Sequence, residues 1–301
     1  MRFISFESDQ CDGVAVRDGE RYIGLRRGDA GFPGDLDQLV SRGSEALRQA
    51  GRLLLSKGSP LDRSAIRLLP PLRRPPKILC IGLNYHDHSA ESGFETPDYP
   101  TVFARFSSSL IGDGAPIVRP AVSEQLDYEG ELVAVIGKGG RAIPEAKALD
   151  HVLGYSVFND ASIRDYQFKS PQWTVGKNFD DTGAFGPELV TGDELPAGAA
   201  GLKLETRLNG EVVQQASTDD MVFSVARLVS ILSEAFTLEA GDIIVTGTPA
   251  GVGLARKPQL WMKPGHVCEV EIEQIGVLSN RIEQQGAAAP ANDRETEKEP
   301  A

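Results

Sequence analysis

The chain has 301 residues, enough for one large domain or two unequal ones. Its 31 Lys and Arg against 43 Asp and Glu give a formal net charge of −12, which disfavours nucleic acid or an anionic membrane as partner, since both need a basic face. An acidic protein can still take an acidic small molecule where a metal and a few basic groups reverse the field locally. Hydrophobic and charged contents of 41% and 25% are those of an ordinary globular protein. No run of about 18 apolar residues occurs, and the N-terminus lacks an apolar signal core, so the expected location is the cytoplasm, with no membrane partner. Cys11, Cys80 and Cys268 are far apart with no CxxC and fit neither a disulfide framework nor a zinc site. Cys80 reads as a small core residue.

Residues 1–70 read as a small α+β unit. Val14-Ala-Val-Arg and Tyr22-Ile-Gly-Leu flank Asp18-Gly19, a hairpin signal, and Asp35 to Leu54 carries apolar residues at helical spacing. Leu69-Pro-Pro-Leu-Arg-Arg-Pro-Pro76 resists both helix and central strand and marks the boundary. Residues 71–284 read as a strand-dominated unit punctuated by Gly and Pro. Leu202–Leu208 and Val212-Val-Gln are joined by Asn209-Gly210, again a hairpin signal. Asp242–Thr246 and His266–Ile272 read as further strands, and Met221–Leu238 as a helix with its apolar stripe at Val222, Val225, Leu228, Val229 and Leu232. The fold class expected is therefore α+β and β-rich. Residues 285–301 are charged and nearly devoid of large apolar groups, the composition of a disordered acidic tail. Truncation after Gln285 is expected to leave melting temperature and turnover unchanged, and a substantial loss of either would mean that the tail docks.

The chemistry-bearing residues begin at Leu126-Asp-Tyr-Glu-Gly-Glu-Leu-Val-Ala-Val-Ile136. Leu132 to Ile136 has the composition of a strand buried on both faces. Residues two apart on a strand share a face, so Glu129 and Glu131 line up with Val133 and Val135. Two like charges on a buried face repel and lose hydration, costs that a divalent cation removes; a solvated pair at a strand end is the alternative. Gly154–Phe158 reads as a strand running into Asn159-Asp160, with Asp160 capping a helix on which Arg164 and Gln167 share its stripe. Asp160 is the expected third ligand, against the alternative of a surface ion pair. Three carboxylates without histidine point to Mg²⁺ or Mn²⁺ rather than Zn²⁺. Lys177 lies in a Gly-rich loop beyond that helix, where it is either a solvated lysine or, next to the carboxylates, a holder of a substrate carboxylate or a ligand's second oxygen. His88 and Glu91, at i and i+3, form a candidate general-base pair, with surface decoration as the alternative. Thr246-Gly-Thr-Pro-Ala-Gly-Val-Gly253 follows a strand and frees backbone N–H groups to face an anion, with Thr248 as an added hydroxyl.

Taken together, these pieces resemble the fumarylacetoacetate hydrolase family, a superfamily that includes acylpyruvases and 2-keto-4-pentenoate hydratase-like enzymes. Asn84-Tyr85-x-x-His88-x-x-Glu91 looks like its lid segment and Tyr128–Gly137 like its ligand strand. Phe158-Asn-Asp160 with Arg164-Asp-Tyr-Gln167 looks like its third ligand and following helix, and Gly176-Lys177 and Thr246–Gly253 complete the set in family order. The resemblance implies a mixed β-roll with a small variable N-terminal unit, assembled as a homodimer. It implies Mg²⁺ or Mn²⁺ on Glu129, Glu131 and Asp160, and a 2-keto or 2,4-dioxo acid as substrate. His88 with Glu91 would activate water, and Lys177, Arg164, Gln167 and Thr248 would bind the substrate and stabilise its oxyanion. Arg105 stands where family members often carry Lys, so a difference at the substrate's acid end is expected there. The activity implied is hydrolysis of the C3–C4 bond of an acylpyruvate or fumarylpyruvate type acid to pyruvate and a carboxylic acid, in aromatic or sugar-acid breakdown. Two alternatives stand beside it. One is decarboxylation of oxaloacetate, or hydration, decarboxylation or isomerisation of a ring-cleavage product, on the same metal site. The other is a non-catalytic β-rich cation-binding protein.

Overall fold

A computed structural model describes residues 1–87 and 98–286. Its largest sheet is mixed and mostly antiparallel, in the order Ser59–Pro60, Arg21–Arg26, Cys11–Asp18, Arg2–Ser8, Gly183–Thr191, Val152–Asp160, Gly130–Ile136, Ile243–Val245, Ile78–Gly82 and Thr101–Ala104. Ile243–Val245 runs parallel to Ile78–Gly82. A five-stranded sheet, in the order Glu211–Ser217, Lys203–Leu208, Val267–Ile272, Gly276–Gln284 and Ile117–Arg119, completes a β-rich α+β fold. Among the described residues no helix is long and apolar enough to cross a membrane.

Both hairpins form, the first one residue later than expected: Asp18 pairs with Arg21, so its turn is Gly19-Glu20. Asn209 and Gly210 take φ of 53° and 83° between strands Lys203–Leu208 and Glu211–Ser217, the left-handed pair that a two-residue turn requires. The helices are shorter than periodicity suggests. The stretch from Asp35 divides into Leu36–Ser41 and Ser44–Lys57 at Gly43, whose φ is 89°. The helix expected from Met221 begins only at Val225, because Ser224 caps it by accepting from the Arg227 N–H at 3.2 Å. The residues before it are captured elsewhere: Val222 N–H donates to the Asn84 carbonyl and Phe223 N–H to Asn84 Oδ1.

Strand Gly130–Ile136 is buried along its whole length, as its unalternated apolar run requires. Leu132, Ala134 and Ile136 join an apolar cluster with helix Val225–Ala235 and the five-stranded sheet. Val133 and Val135 face a second cluster with Cys80, Phe158, Val245 and the N-terminal helices. Arg2 and Phe3 pair with Val190 and Leu189, so residues 1–70 share a sheet and an apolar core with the chain beyond the proline-rich boundary. Gln285, expected to belong to the tail, instead donates its N–H to the Arg119 carbonyl and accepts from Ala121. Ordered pairing therefore reaches it.

Candidate active site

Pairing register explains the acidic centre. Gly130 pairs with Asn159 and Glu131 with Phe158, so Glu129 and Asp160 stand opposite each other one step further on, and Asp160 N–H donates to the Glu129 carbonyl at 2.9 Å. Residues opposite one another on antiparallel strands share a face. Glu129, Glu131 and Asp160 therefore converge, with carboxylate oxygens within 4.8 Å of one another and exposures of 5%, 1% and 0%. Asp160 closes strand Val152–Asp160; it does not cap a helix, as composition suggested. The helix is the single turn Arg164–Gln167, preceded by Ile163, and the stripe placed on it is shared between a strand end and that turn.

Cationic side chains surround the acids. Lys177 Nζ donates to Glu129 Oε2 and Asp160 Oδ2, both at 2.7 Å. Burial alone would lower its pKa, but Asp160 and Glu129 outweigh burial and raise it, so the ammonium stays charged. Gly176 allows Lys177 this place, since a Cβ there would lie 2.3 Å from the Gln167 nitrogen. Arg164 spans Asp127 Oδ2 (2.8 Å from Nε) and Glu129 Oε1 (2.7 Å from Nη2), and donates to Gln167 Oε1 at 2.8 Å. Burial opposes its charge, yet Glu129 and Asp127 raise its pKa further. Burial pushes the Glu131 carboxyl well above the ordinary carboxylate range, with Asp160 and Glu129 pushing the same way. Its Oε2 accepts from Gly247 N–H at 2.5 Å.

Arg105 departs from expectation. It is buried and bonded to Asp160 Oδ1, to Thr182 Oγ1 at 2.7 Å and to Ser109 Oγ at 3.2 Å. It lies outside the cavity lining and is bonded to one of the three converging acids. The loop 246–253 does face anions, but they are the protein's own: Gly247 N–H reaches Glu131, and Gly253 and Leu254 N–H reach Asp127 at 2.7 and 3.0 Å. Thr248 donates to the Gly130 carbonyl at 3.0 Å and accepts from Gln214 at 2.9 Å. His88 and Glu91 lie outside the described residues.

Two buried residues were given no role of their own by the sequence. Asp127 ties loop 253–254 to Arg164, and its place as the first of three acids at alternate positions 127, 129 and 131 was the available signal. Asn84 donates to the Phe223 and Thr246 carbonyls, fixing the chain beside Gly247, where a Cβ would meet it at 2.7 Å; nothing local announces that.

The centre opens on a cavity of about 910 Å³. Glu129, Glu131, Arg164, Gln167, Lys177 and Thr248 line its buried part. Ile81, Phe103, Trp173, Val252 and Leu254 form apolar walls, and exposed Phe168, Lys169 and Ser170 also line it. The three carboxylates fit a hard divalent cation: all donors are oxygen, they converge, and neither histidine nor cysteine joins them among the described residues. Cys80 lies near by, but burial pushes its thiol well up, and Asp160 and Glu131 add to this, so it is an inert core residue.

The family model for the fumarylacetoacetate (FAA) hydrolase C-terminal region matches residues 77–283. The chain is 40% identical over 288 residues to a Xenopus laevis protein named oxaloacetate tautomerase fahd2, mitochondrial, covering 94% of this chain and 90% of that protein. It is 38% identical to human oxaloacetate tautomerase FAHD2A, mitochondrial, covering 94% and 91%. Fumarylacetoacetate hydrolase from psychrophilic Exiguobacterium antarcticum superposes with a TM-score of 0.83 at 36% identity, covering 95% of this chain and all of that one. Maleylpyruvate hydrolase from Sphingobium sp. SYK-6, solved with manganese(II) and pyruvate, superposes with a TM-score of 0.78 at 26% identity, covering 94% and 99%. With the acidic centre in place and the match spanning most of its length, the chain belongs to the fumarylacetoacetate hydrolase family and is an enzyme of that family.

Proposed function

We propose that the enzyme acts at C3 of a 2-oxo acid and that its reaction is keto–enol interconversion of oxaloacetate or a close analogue. The observation that carries this reading is the buried three-carboxylate centre, flanked by Lys177 and Arg164, at the base of the cavity. The names of the relatives similar over nearly the whole chain favour oxaloacetate. Glu129, Glu131 and Asp160 would hold Mg²⁺ or Mn²⁺, which when bound would supply Lewis-acid stabilisation of negative charge on a carbonyl oxygen. Lys177, kept protonated by Asp160 and Glu129, acts as a fixed positive charge and not as a base. Arg164 and Gln167 line the cavity and orient the acid's carboxylate, Arg164 being braced by Asp127. Thr248 supports the wall through Gly130. The proton at C3 is assigned to His88, oriented by Glu91.

A second reading is hydrolysis of the C3–C4 bond of a 2,4-dioxo acid, the expectation drawn from the sequence. The likeness to maleylpyruvate hydrolase favours it, and the same His88 would activate water. The test follows decay of enol oxaloacetate, and pyruvate release from oxaloacetate, acetylpyruvate and fumarylpyruvate, with Mg²⁺ or Mn²⁺, in wild type and His88→Ala. Accelerated enol decay without pyruvate, reduced about 10²–10⁴-fold in the variant at unchanged cation affinity, is expected. Faster pyruvate release from a dioxo acid would install the hydrolase, and release from oxaloacetate the decarboxylase. No acceleration with either metal would leave a cation-binding protein. A cytoplasmic homodimer is proposed on the sequence reading alone; light scattering tests the assembly, and the relatives named mitochondrial make location a matter for fractionation.

A further inference from the structure

We infer that Lys169 reads a second carboxylate on the substrate, so that the cavity selects 2-oxo dicarboxylic acids over 2-oxo acids with an uncharged tail. This rests on reading the cavity as a 2-oxo acid site and deepens it. Among the described residues three cationic side chains line the cavity: Arg164, Lys177 and Lys169. Arg164 is held by Asp127 and Glu129, and Lys177 by Glu129 and Asp160. Lys169 is exposed and, among the described residues, makes no ion pair; its Nζ lies 3.4 Å from the centroid of the Tyr166 ring.

Charge balance gives this cation a purpose. Asp127, Glu129, Glu131 and Asp160 face Arg105, Arg164 and Lys177, leaving one excess negative charge when all are ionised. A bound divalent cation turns that excess into one positive charge, which the carboxylate next to the 2-oxo group neutralises. Any further carboxylate then needs a partner outside the buried group. The apolar walls Phe103, Trp173 and Leu254 offer it none, and an ion left unpaired against apolar surface loses hydration. Among the described residues Lys169 is the remaining cation of the lining. Tyr166 is itself braced edge-on by Phe179, with ring centroids 5.0 Å apart. The ammonium therefore rests on a fixed aromatic face and gives up less conformational freedom on pairing than a lysine extended into water.

The experiment measures dissociation constants of the Mn²⁺-loaded full-length protein for 2-oxoglutarate and 2-oxopentanoate, which share a five-carbon chain and differ at the far end, carboxylate against methyl. Wild type should bind 2-oxoglutarate more tightly. Lys169→Gln should weaken 2-oxoglutarate about tenfold, the scale of a charge-assisted hydrogen bond, and leave 2-oxopentanoate unchanged, while Lys169→Arg should keep most of the preference. Equal affinities in wild type, absence of binding by either acid, or equal losses for both in Lys169→Gln would overturn the assignment. The readout is binding, so a chain that discriminates the two acids but fails to process enol oxaloacetate would overturn the reaction proposed above and leave Lys169 as the reader of the second carboxylate.

Discussion

Glu131→Ala is expected to lower divalent-cation affinity by at least about 100-fold and to take turnover to background. Glu131 is 1% exposed, shares a face with Glu129 and is held by Gly247 N–H. Its side chain thus cannot be replaced by a neighbouring carboxylate without moving the strand. A pH signature accompanies it. Burial first, then Asp160 and Glu129, raises the Glu131 pKa in the folded cation-free protein. A carboxyl that holds its proton more tightly folded than unfolded contributes stability that is fully present in acid and is lost as pH rises through the raised value. Cation binding requires the ionised form, so affinity strengthens with pH over that interval and binding releases a proton. Thermal melts of wild type with and without Mn²⁺ should show a metal-dependent rise in Tm that grows with pH and is absent in Glu131→Ala. Titration calorimetry in two buffers of different ionisation enthalpy should register the proton. Full affinity and full activity of Glu131→Ala after chelation and reloading would sink the assignment of this centre.

Lys177→Met separates catalysis from ligand support, because its two expected effects have opposite signs. Lys177 Nζ occupies Glu129 Oε2 and Asp160 Oδ2 at 2.7 Å, so it competes with a cation for the same oxygens. Without it the centre is more negative, and Mn²⁺ should bind as tightly as in wild type or more tightly. The cation-free protein should lose about 3–5 kcal/mol of stability, the cost of stripping one partner from a buried ion pair, and saturating Mn²⁺ should restore part of it. Turnover should nevertheless fall about 10²–10³-fold at saturating metal, the usual cost of losing one fixed stabiliser of a developing oxyanion. Chemical unfolding, Mn²⁺ titration and kcat on the same variant decide the matter. A fall in Mn²⁺ affinity with normal kcat at saturation would reduce Lys177 to a prop for its two carboxylates.

Much of this protein is legible before folding, wherever the signal is local. The buried strand Gly130–Ile136 follows from an unalternated apolar run, and the shared face of Glu129 and Glu131 from the two-residue period of a strand. The hairpin at Asn209-Gly210 follows from two residues that tolerate positive φ. Asp160 was legible as a third acid beside Glu129 and Glu131 but not as a strand end, because an aspartate before Ala-Ser-Ile-Arg satisfies helix-cap and strand-end signals alike. What decides its place is the register of Val152–Asp160 against Gly130–Ile136, a pairing between segments some thirty positions apart in the chain. The charge of Arg105 was legible and its direction was not, since burial behind Asp160 depends on Ser109 and Thr182 closing around it. Likewise the glycines of 246–253 announced an anion, but only the approach of that loop to strand 130–136 made the anions Glu131 and Asp127. By itself the chain determined which residues carry charge, which turns close and which strand is buried, because those depend on neighbours two to four residues away. Which carboxylate each cation meets was decided by tertiary structure, because electrostatic pairing in a low-dielectric interior is set by distances between segments that only packing brings together.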